Sequence, residues 1–384
     1  MSIDVRASPS APLDQQGVSS RNRRALAVWL FAVAGMIAVM IVLGGATRAT
    51  GSGLSIMEWA PLSGTFPPGS ESEWRRLFNL YQAIPQYALV NQGFGLDGFK
   101  HIFWLEWVHR LWGRLIGIVF AVPLAWFWAT GRIEPWLLRR LLLLLALGGL
   151  QGADGWFMVA SGFLPDSTAV SPYRLVVHLA LALLLYGAIL WTGLSVLRPV
   201  PQPLPRCLIP LRVLVWACCV LVALTILAGG FVAGTHAGLD YNTFPLMAGR
   251  LVPEGYARLS PLLRNLTDNI AAVQFDHRLL ATLTALAVAA AFAMGLAARP
   301  PRAVRLGLIA LALALAAQYA LGVATLLSAV AVPLAIAHQT GAILVLTVVL
   351  VLLHALCAAS DTAEGRAPTA QGPVVKVTST HHTI

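Results

Sequence analysis

The chain has 384 residues, of which 58% are hydrophobic and only 11% charged, with a mean hydropathy of +0.75. Ordinary soluble domains carry about a quarter charged residues, so 26 cations and 16 acids are too few to cover two water-soluble domains. The formal net charge of +10 does not describe a nucleic-acid binder: only Lys100 and Lys376 are lysines, and the arginines are scattered between apolar runs instead of forming a basic face.

Residues 1–24 lack an apolar core and carry Asp4 and Asp14, so they read as a disordered cytoplasmic tail and as neither a signal nor a transit peptide. Eight apolar runs follow, at 25–46, 105–129, 137–160, 172–197, 208–234, 270–298, 303–327 and 332–357. Each has about the 20 residues that a membrane-spanning helix needs. Glycines and prolines punctuate the connections, at Gly51, Gly53, Pro61, Pro135, Pro165, Pro172, Pro300 and Pro301. Pro123 lies inside the second run and is expected to kink it. Residues 25–197 form a first four-helix bundle, 198–207 an Arg- and Pro-bearing cytoplasmic linker, 208–357 a second bundle, and 358–384 a second disordered tail. Fifteen cations lie in the tails and alternate connections on one side and seven on the other, which places both termini in the cytoplasm.

The two halves repeat one another. GGATRATGSGL from Gly44 matches GGFVAGTHAGL from Gly229, VHRLWGRL from Val108 matches DHRLLATL from Asp276, and Gln151 and Gly155 match Gln318 and Gly322. The segment around His178 matches that around His338. Four spans is an even number, so the copies enter the membrane in the same sense and are expected to be related by a pseudo-twofold axis along its normal. The fold class is therefore an all-α integral membrane protein.

Of nine histidines, His109, His178, His277 and His338 fall inside spans at repeat-equivalent places, five to seven residues from the outer end. At 1.5 Å per residue that is roughly 8–10 Å below the outer interface. Ionisable groups in a bilayer are costly and usually functional. Two imidazoles facing each other across a bundle can ligate one haem iron axially, whereas two per pocket with few acids do not close a zinc or di-iron site. Haem propionates need cations: Arg110 and Arg278 follow the first histidine of each half, Arg114 lies one turn further in, and Arg174 precedes His178 by four residues. Snorkelling to headgroups is the competing role for each arginine. His101 and His236 fall in outer loops and His354 near an inner helix end, none with an expected ligand role. Cys207, Cys218, Cys219 and Cys357 have no metal-type spacing.

The halves differ three residues before the first histidine of each. Glu106 stands three residues before His109, and Gln274 three residues before His277. That spacing puts the side chains on one helix face, with Glu106 expected just outside the haem edge, near the water boundary. A carboxylate there can act as a general base on water or stabilise developing positive charge, or it can simply pair with a neighbouring arginine. The asymmetry suggests chemistry in the first half and a permanently bound electron-transfer haem in the second.

Together these residues resemble the haem A synthase family. The resemblance rests on GGATRATGSGLS with W-x-P-L-x-G-x-x-P from Trp59 to Pro67, E-W-V-H-R from Glu106, residues 150–164, the His178 helix, A-G-L-D-Y-N-T-F-P-L-M from Ala237, D-H-R from Asp276 and A-H-Q from Ala337. It implies two successive oxidations of a ring methyl of haem O to a formyl group, with oxygen derived from water. It also implies His109 and His178 on the substrate haem O, His277 and His338 on a haem B cofactor, and Glu106 as the catalytic residue. Neither long outer loop, 47–104 or 235–269, holds a cysteine, so the chain resembles the cysteine-free proteobacterial and mitochondrial branch. A bacterial inner membrane, pockets near the periplasmic side, haem O synthase, oxidase assembly factors and a homo-oligomer are further expectations. The alternatives are a di-haem cytochrome b, which would stack its haems at two depths, and a non-catalytic haem-handling protein, which would not need the Glu106 and Gln274 difference. A haem O-forming prenyltransferase needs paired Asp-rich motifs, and the sequence has none.

Overall fold

The computed structural model describes residues 13–60, 63–165, 167–198 and 205–357. Among these there is no strand beyond an isolated bridge between Met247 and Arg250. The α-helices are α1 (Leu13–Ala49), α2 (Glu71–Gln82), α3 (Pro85–Leu89), α4 (Leu96–Ala129), α5 (Pro135–Ala160), α6 (Pro172–Leu197), α7 (Ile209–Gly234), α8 (Asn265–Asp268), α9 (Ile270–Ala298), α10 (Arg302–Leu327) and α11 (Val332–Cys357). All but α2, α3 and α8 are long and apolar enough to cross a membrane, which makes eight spans. A chain in lipid must satisfy its backbone groups internally, and helices do so.

Two boundaries differ from those read in the sequence. The stretch from Leu13 to Arg24, expected within a disordered tail, is helical. It holds no proline, and a helix already nucleated in the apolar run propagates at little cost. Residues 1–12, 199–204 and 358–384, which hold most of the expected tails and linker, lie outside the described residues. Helix α4 starts at Leu96, nine residues before the expected span, and runs through Pro123 without ending. The extension has its own packing. Phe99, Ile102 and Phe103 bury against Leu54 and against Leu77, Tyr81 and Ile84 of the first outer connection. Trp74 of α2 stacks edge-on against Phe103 at 4.8 Å. Helix α2 is set by its cap: the Ser70 side chain accepts from Glu73 N at 3.2 Å, and the Glu73 carboxylate accepts from Gly69 N at 3.1 Å, a variant of the capping box. The outer connection is thus a folded aromatic cap over the first bundle.

Helices α1, α4, α5 and α6 pack as a closed ring, each against the next, and α7, α9, α10 and α11 form a second ring. The rings meet through α1, α6, α7 and α11. One apolar core joins Leu30 and Val33 of α1, Tyr186 and Ile189 of α6, Val215 of α7 and Leu346 and Val349 of α11. Helices α5 and α10 bury least, as lipid-facing members do. In each ring the two histidine-bearing helices, α4 and α6 or α9 and α11, stand diagonally opposite.

Paired glycines set the close approaches. A Cβ on Gly44 would stand 3.2 Å from His109 Nε2, and one on Gly229 3.1 Å from His277 Cε1. Their neighbours face the other ring: Gly45 abuts Gln339 of α11, and Gly230 abuts Val176 and Leu179 of α6. Each Gly-Gly pair therefore leaves one face free for the histidine of its own bundle and one for the neighbouring bundle.

Candidate functional site

The second ring shows the histidine geometry directly. The His277 and His338 rings face each other with centroids 6.5 Å apart and planes at 89°. At that separation His277 and His338 would be able to hold one iron between them. His277 Nδ1 lies 3.1 Å from the Thr225 carbonyl oxygen, which can only accept. The proton therefore sits on Nδ1, and Nε2 presents its lone pair.

The helices behind the rings match between halves. Gly155 and Gly322 lie where a Cβ would stand 2.9 Å from His178 Cε1 and 2.8 Å from His338 Cε1. Gln151 Nε2 donates to the His178 carbonyl at 3.1 Å, and Gln318 Nε2 to the His338 carbonyl at 2.8 Å. The side-chain oxygens of both glutamines are buried without a hydrogen-bond partner. In each half, then, two histidines lie on opposed helices against glycines that leave the rings room. Two imidazoles do not close a site around a bare metal ion, but they fit an iron whose other ligands come with its porphyrin.

Glu106 is buried, 2% exposed, and not at the water boundary expected from its position. The outer connection folds back over it. Its Oε2 accepts from Ser55 N at 2.7 Å, Ser55 Oγ at 2.7 Å and Ile56 N at 3.0 Å. Its Oε1 accepts from Arg110 Nε at 3.0 Å and Nη2 at 2.6 Å. A carboxylate has about four lone-pair sites, so these five donors leave none for a water molecule. Gln274 occupies the matching place, also 2% exposed. It reverses the polarity: its Nε2 donates to the carbonyls of Ala237 at 2.9 Å and Tyr241 at 3.4 Å, while its Oε1 accepts from Arg278 at 3.2 Å.

Arg110 and Arg278 act as matched clamps. Arg110 donates to the carbonyls of Ile56 at 2.6 Å and Glu58 at 3.0 Å. Arg278 donates to those of Tyr241 at 2.6 Å and Thr243 at 2.9 Å. Arg278 Nε is buried without a hydrogen-bond partner. Arg114 donates to the Ala60 carbonyl at 2.8 Å. Arg174 turns to the exposed flank, donating to the Phe157 carbonyl at 2.7 Å and covering the Phe157 ring at 3.7 Å.

The remaining histidines stand apart from the two pairs. His101 lies on α4 and not in a loop. His236 receives a 2.9 Å contact from Arg48, which also donates to the Ala233 carbonyl at 2.5 Å; burial first, and the Arg48 charge second, hold this imidazole below its ordinary range. His354 is buried and bonds Ser195 at 3.1 Å. Sequence reasoning passed over Asp154, whose Oδ2 lies 3.1 Å from His178 Nδ1. It is the only acid of α5, and an acid in an apolar run was the available signal. The role of Ser55 had no such signal, because it depends on the fold of the outer connection.

Fold and site together define a polytopic membrane protein of two four-helix rings, each with two histidines on opposed helices. The family model described as cytochrome oxidase assembly protein (COX15-CtaA) matches residues 27–350. The chain is 60% identical to a Heme A synthase of Granulibacter bethesdensis, over 96% of this chain and 99% of that protein. It is 48% identical to a Heme A synthase of Azorhizobium caulinodans over 88% of this chain and 95% of that protein, and 46% identical to one of Rhodospirillum centenum over 88% and 90%. The chain belongs to the haem A synthase family.

Proposed function

We propose that this chain makes haem A from haem O. The observation that carries the proposal is near-full-length identity to curated Heme A synthases in a chain whose two histidine pairs lie on opposed helices. Each of two oxidations replaces a C–H bond of one ring methyl with C–OH, takes its oxygen from water, releases two protons to water and passes two electrons, one at a time, to an external oxidant. The resulting geminal diol loses water to give the formyl group. His109 and His178 hold the substrate haem O in the first bundle, and His277 and His338 hold haem B in the second. Bound there, haem B supplies one-electron transfer.

Glu106 is the catalytic residue of the proposal, acting as a fixed negative charge. Its saturated hydrogen bonds favour stabilising positive charge near the substrate over acting as a general base, which would have to break them first. Arg278, with a buried donor to spare, suits a haem propionate. Arg110 and Arg114 position the outer connection above the first pocket, and the outward turn of Arg174 gives no support to a pocket role. The setting is a bacterial inner membrane with cytoplasmic termini and pockets toward the periplasmic side. Haem O synthase and oxidase assembly factors are the matching partners, and a homo-oligomer is compatible with this role. Expression in a membrane that supplies haem O, followed by haem extraction, tests the proposal: haem A is expected, and its absence with both histidine pairs loaded would refute it.

A further inference from the structure

The halves differ at a second position, on the helices behind the histidines. Gln151 and Gly155 match Gln318 and Gly322, so Asp154 falls opposite Leu321. Asp154 Oδ2 lies 3.1 Å from His178 Nδ1, and the two side chains are 14% and 19% exposed. A carboxylate oxygen accepts, so the imidazole carries its proton on Nδ1 and directs the Nε2 lone pair away from Asp154. Gln151 Nε2 lies 3.2 Å from both ring nitrogens of His178 and donates to the His178 carbonyl at 3.1 Å, so an iron bound at Nε2 would take the place of the amide's contact there. In the second half the Nδ1 partners are neutral: the Thr225 carbonyl for His277 and the Gln318 amide for His338. Among the described residues no other histidine of the four has a carboxylate partner.

We propose that Asp154 is a positioning residue that acts through His178 to hold the first-half haem iron at a lower reduction potential than the same imidazoles would give without it. The proposal rests on His178 being a haem ligand. A carboxylate on the far nitrogen of a ligating imidazole makes the ligand more basic, which favours the ferric over the ferrous iron. The apolar Leu321 side chain offers the second half no such bond. The chain thereby sets two bis-histidine irons, otherwise alike in ligands, at different potentials.

The test is an optical redox titration of full-length protein purified from a membrane that supplies haem O. The wild type is compared with Asp154→Leu, Asp154→Asn and His178→Ala. Two one-electron waves are expected, one of which His178→Ala removes. In Asp154→Leu that wave moves upward, by roughly tenfold in the ferrous-to-ferric ratio or about 59 mV, while the other stays in place. Asp154→Asn, which keeps an acceptor oxygen without the charge, moves it the same way by less, and supplies the test if the leucine variant does not fold. An unmoved wave, or equal movement of both waves, would overturn the proposal while leaving the ligand assignment standing. If His178→Ala removes neither wave, the ligand assignment itself fails and takes the proposal with it.

Discussion

Replacing Glu106 by glutamine separates charge from shape, because the product is the residue that the second half carries as Gln274. In the native protein one carboxylate oxygen holds Ser55 and Ile56 and the other takes both donors of the Arg110 fork. Glutamine keeps one acceptor oxygen for the connection but turns an NH2 toward the guanidinium. Both Arg110 bonds are lost, in a pair whose side chains are 17% and 3% exposed. Removing one partner of a buried ion pair costs about 3–5 kcal/mol. Taking the lower end, because Arg110 keeps its two bonds to the Ile56 and Glu58 carbonyls, about 3 kcal/mol withdrawn from the reacting arrangement slows haem A formation about 100-fold. The assay is chromatography of haems extracted from cells supplying haem O, alongside the B-type haem content of purified protein. The expected result is haem O accumulating in a protein that retains its B-type haem. Haem A at the wild-type level would refute the reasoning, since neither a fixed charge nor a base would then be needed at that position. Loss of both haems would point to collapse of the outer connection instead.

Other outcomes follow from the same geometry. His277→Ala should abolish the B-type haem signal of purified protein while haem O still binds; persistence of that signal would move the cofactor out of the second bundle. Gly45→Leu forces a side chain into Gln339, whose amide also bonds the Ile41 carbonyl at 2.6 Å. Overpacking of about 1–3 kcal/mol should lower the thermal midpoint in detergent, and Gly35→Leu, where a Cβ has nothing within 4 Å, should not do so. Arg278→Lys keeps the charge but not the fork that spans the Tyr241 and Thr243 carbonyls. Limited proteolysis within 239–250 should quicken by about tenfold, the equivalent of one net hydrogen bond of about 1.4 kcal/mol, with the 50–60 connection unaffected.

What the sequence made legible follows from how far each signal reaches along the chain. Spans are local: an apolar run between glycines and prolines is visible as such, and all eight appear. The repeat carried further, because Gly44 with Gly229 and Gln151 with Gln318 can be aligned without knowing what they touch, and the structure gives each pair matching contacts. The early start of α4 was hidden because its outer turns carry Asp97 and Lys100 on one side while burying Phe99, Ile102 and Phe103 on the other. That pattern is amphipathic and not spanning, and its partners lie in a connection with no periodicity. The same connection explains why Glu106 was placed at the water boundary. Helix depth alone put it there, but Ser55 and Ile56 cover it, and nothing in the spacing of residues 50–60 announces that fold.

The Arg110 and Arg278 clamps show which asymmetries bear on chemistry. Both arginines hold two backbone carbonyls at repeat-equivalent positions, so the connection above each pocket is fixed in the same way. Against that common frame, the pocket-side differences stand out: the second half closes its connection with the neutral Gln274 and backs its histidine with Leu321. An ionisable group inside a membrane-spanning helix carries an energetic cost that a neutral isostere avoids. Glu106 and Asp154 both bear that cost in the first half, one beside each histidine of the pair. The second half has an unmatched acid of its own, Asp276 opposite Val108, but that one accepts from Tyr256 of the outer connection at 2.8 Å. Glu106 and Asp154 instead lie on helices that bear or back a histidine of the first pocket, where negative charge would stabilise positive charge developing in the reaction. Substituting both together, Glu106→Gln with Asp154→Leu, should therefore leave a first pocket that binds haem O much as the second binds haem B and makes no haem A.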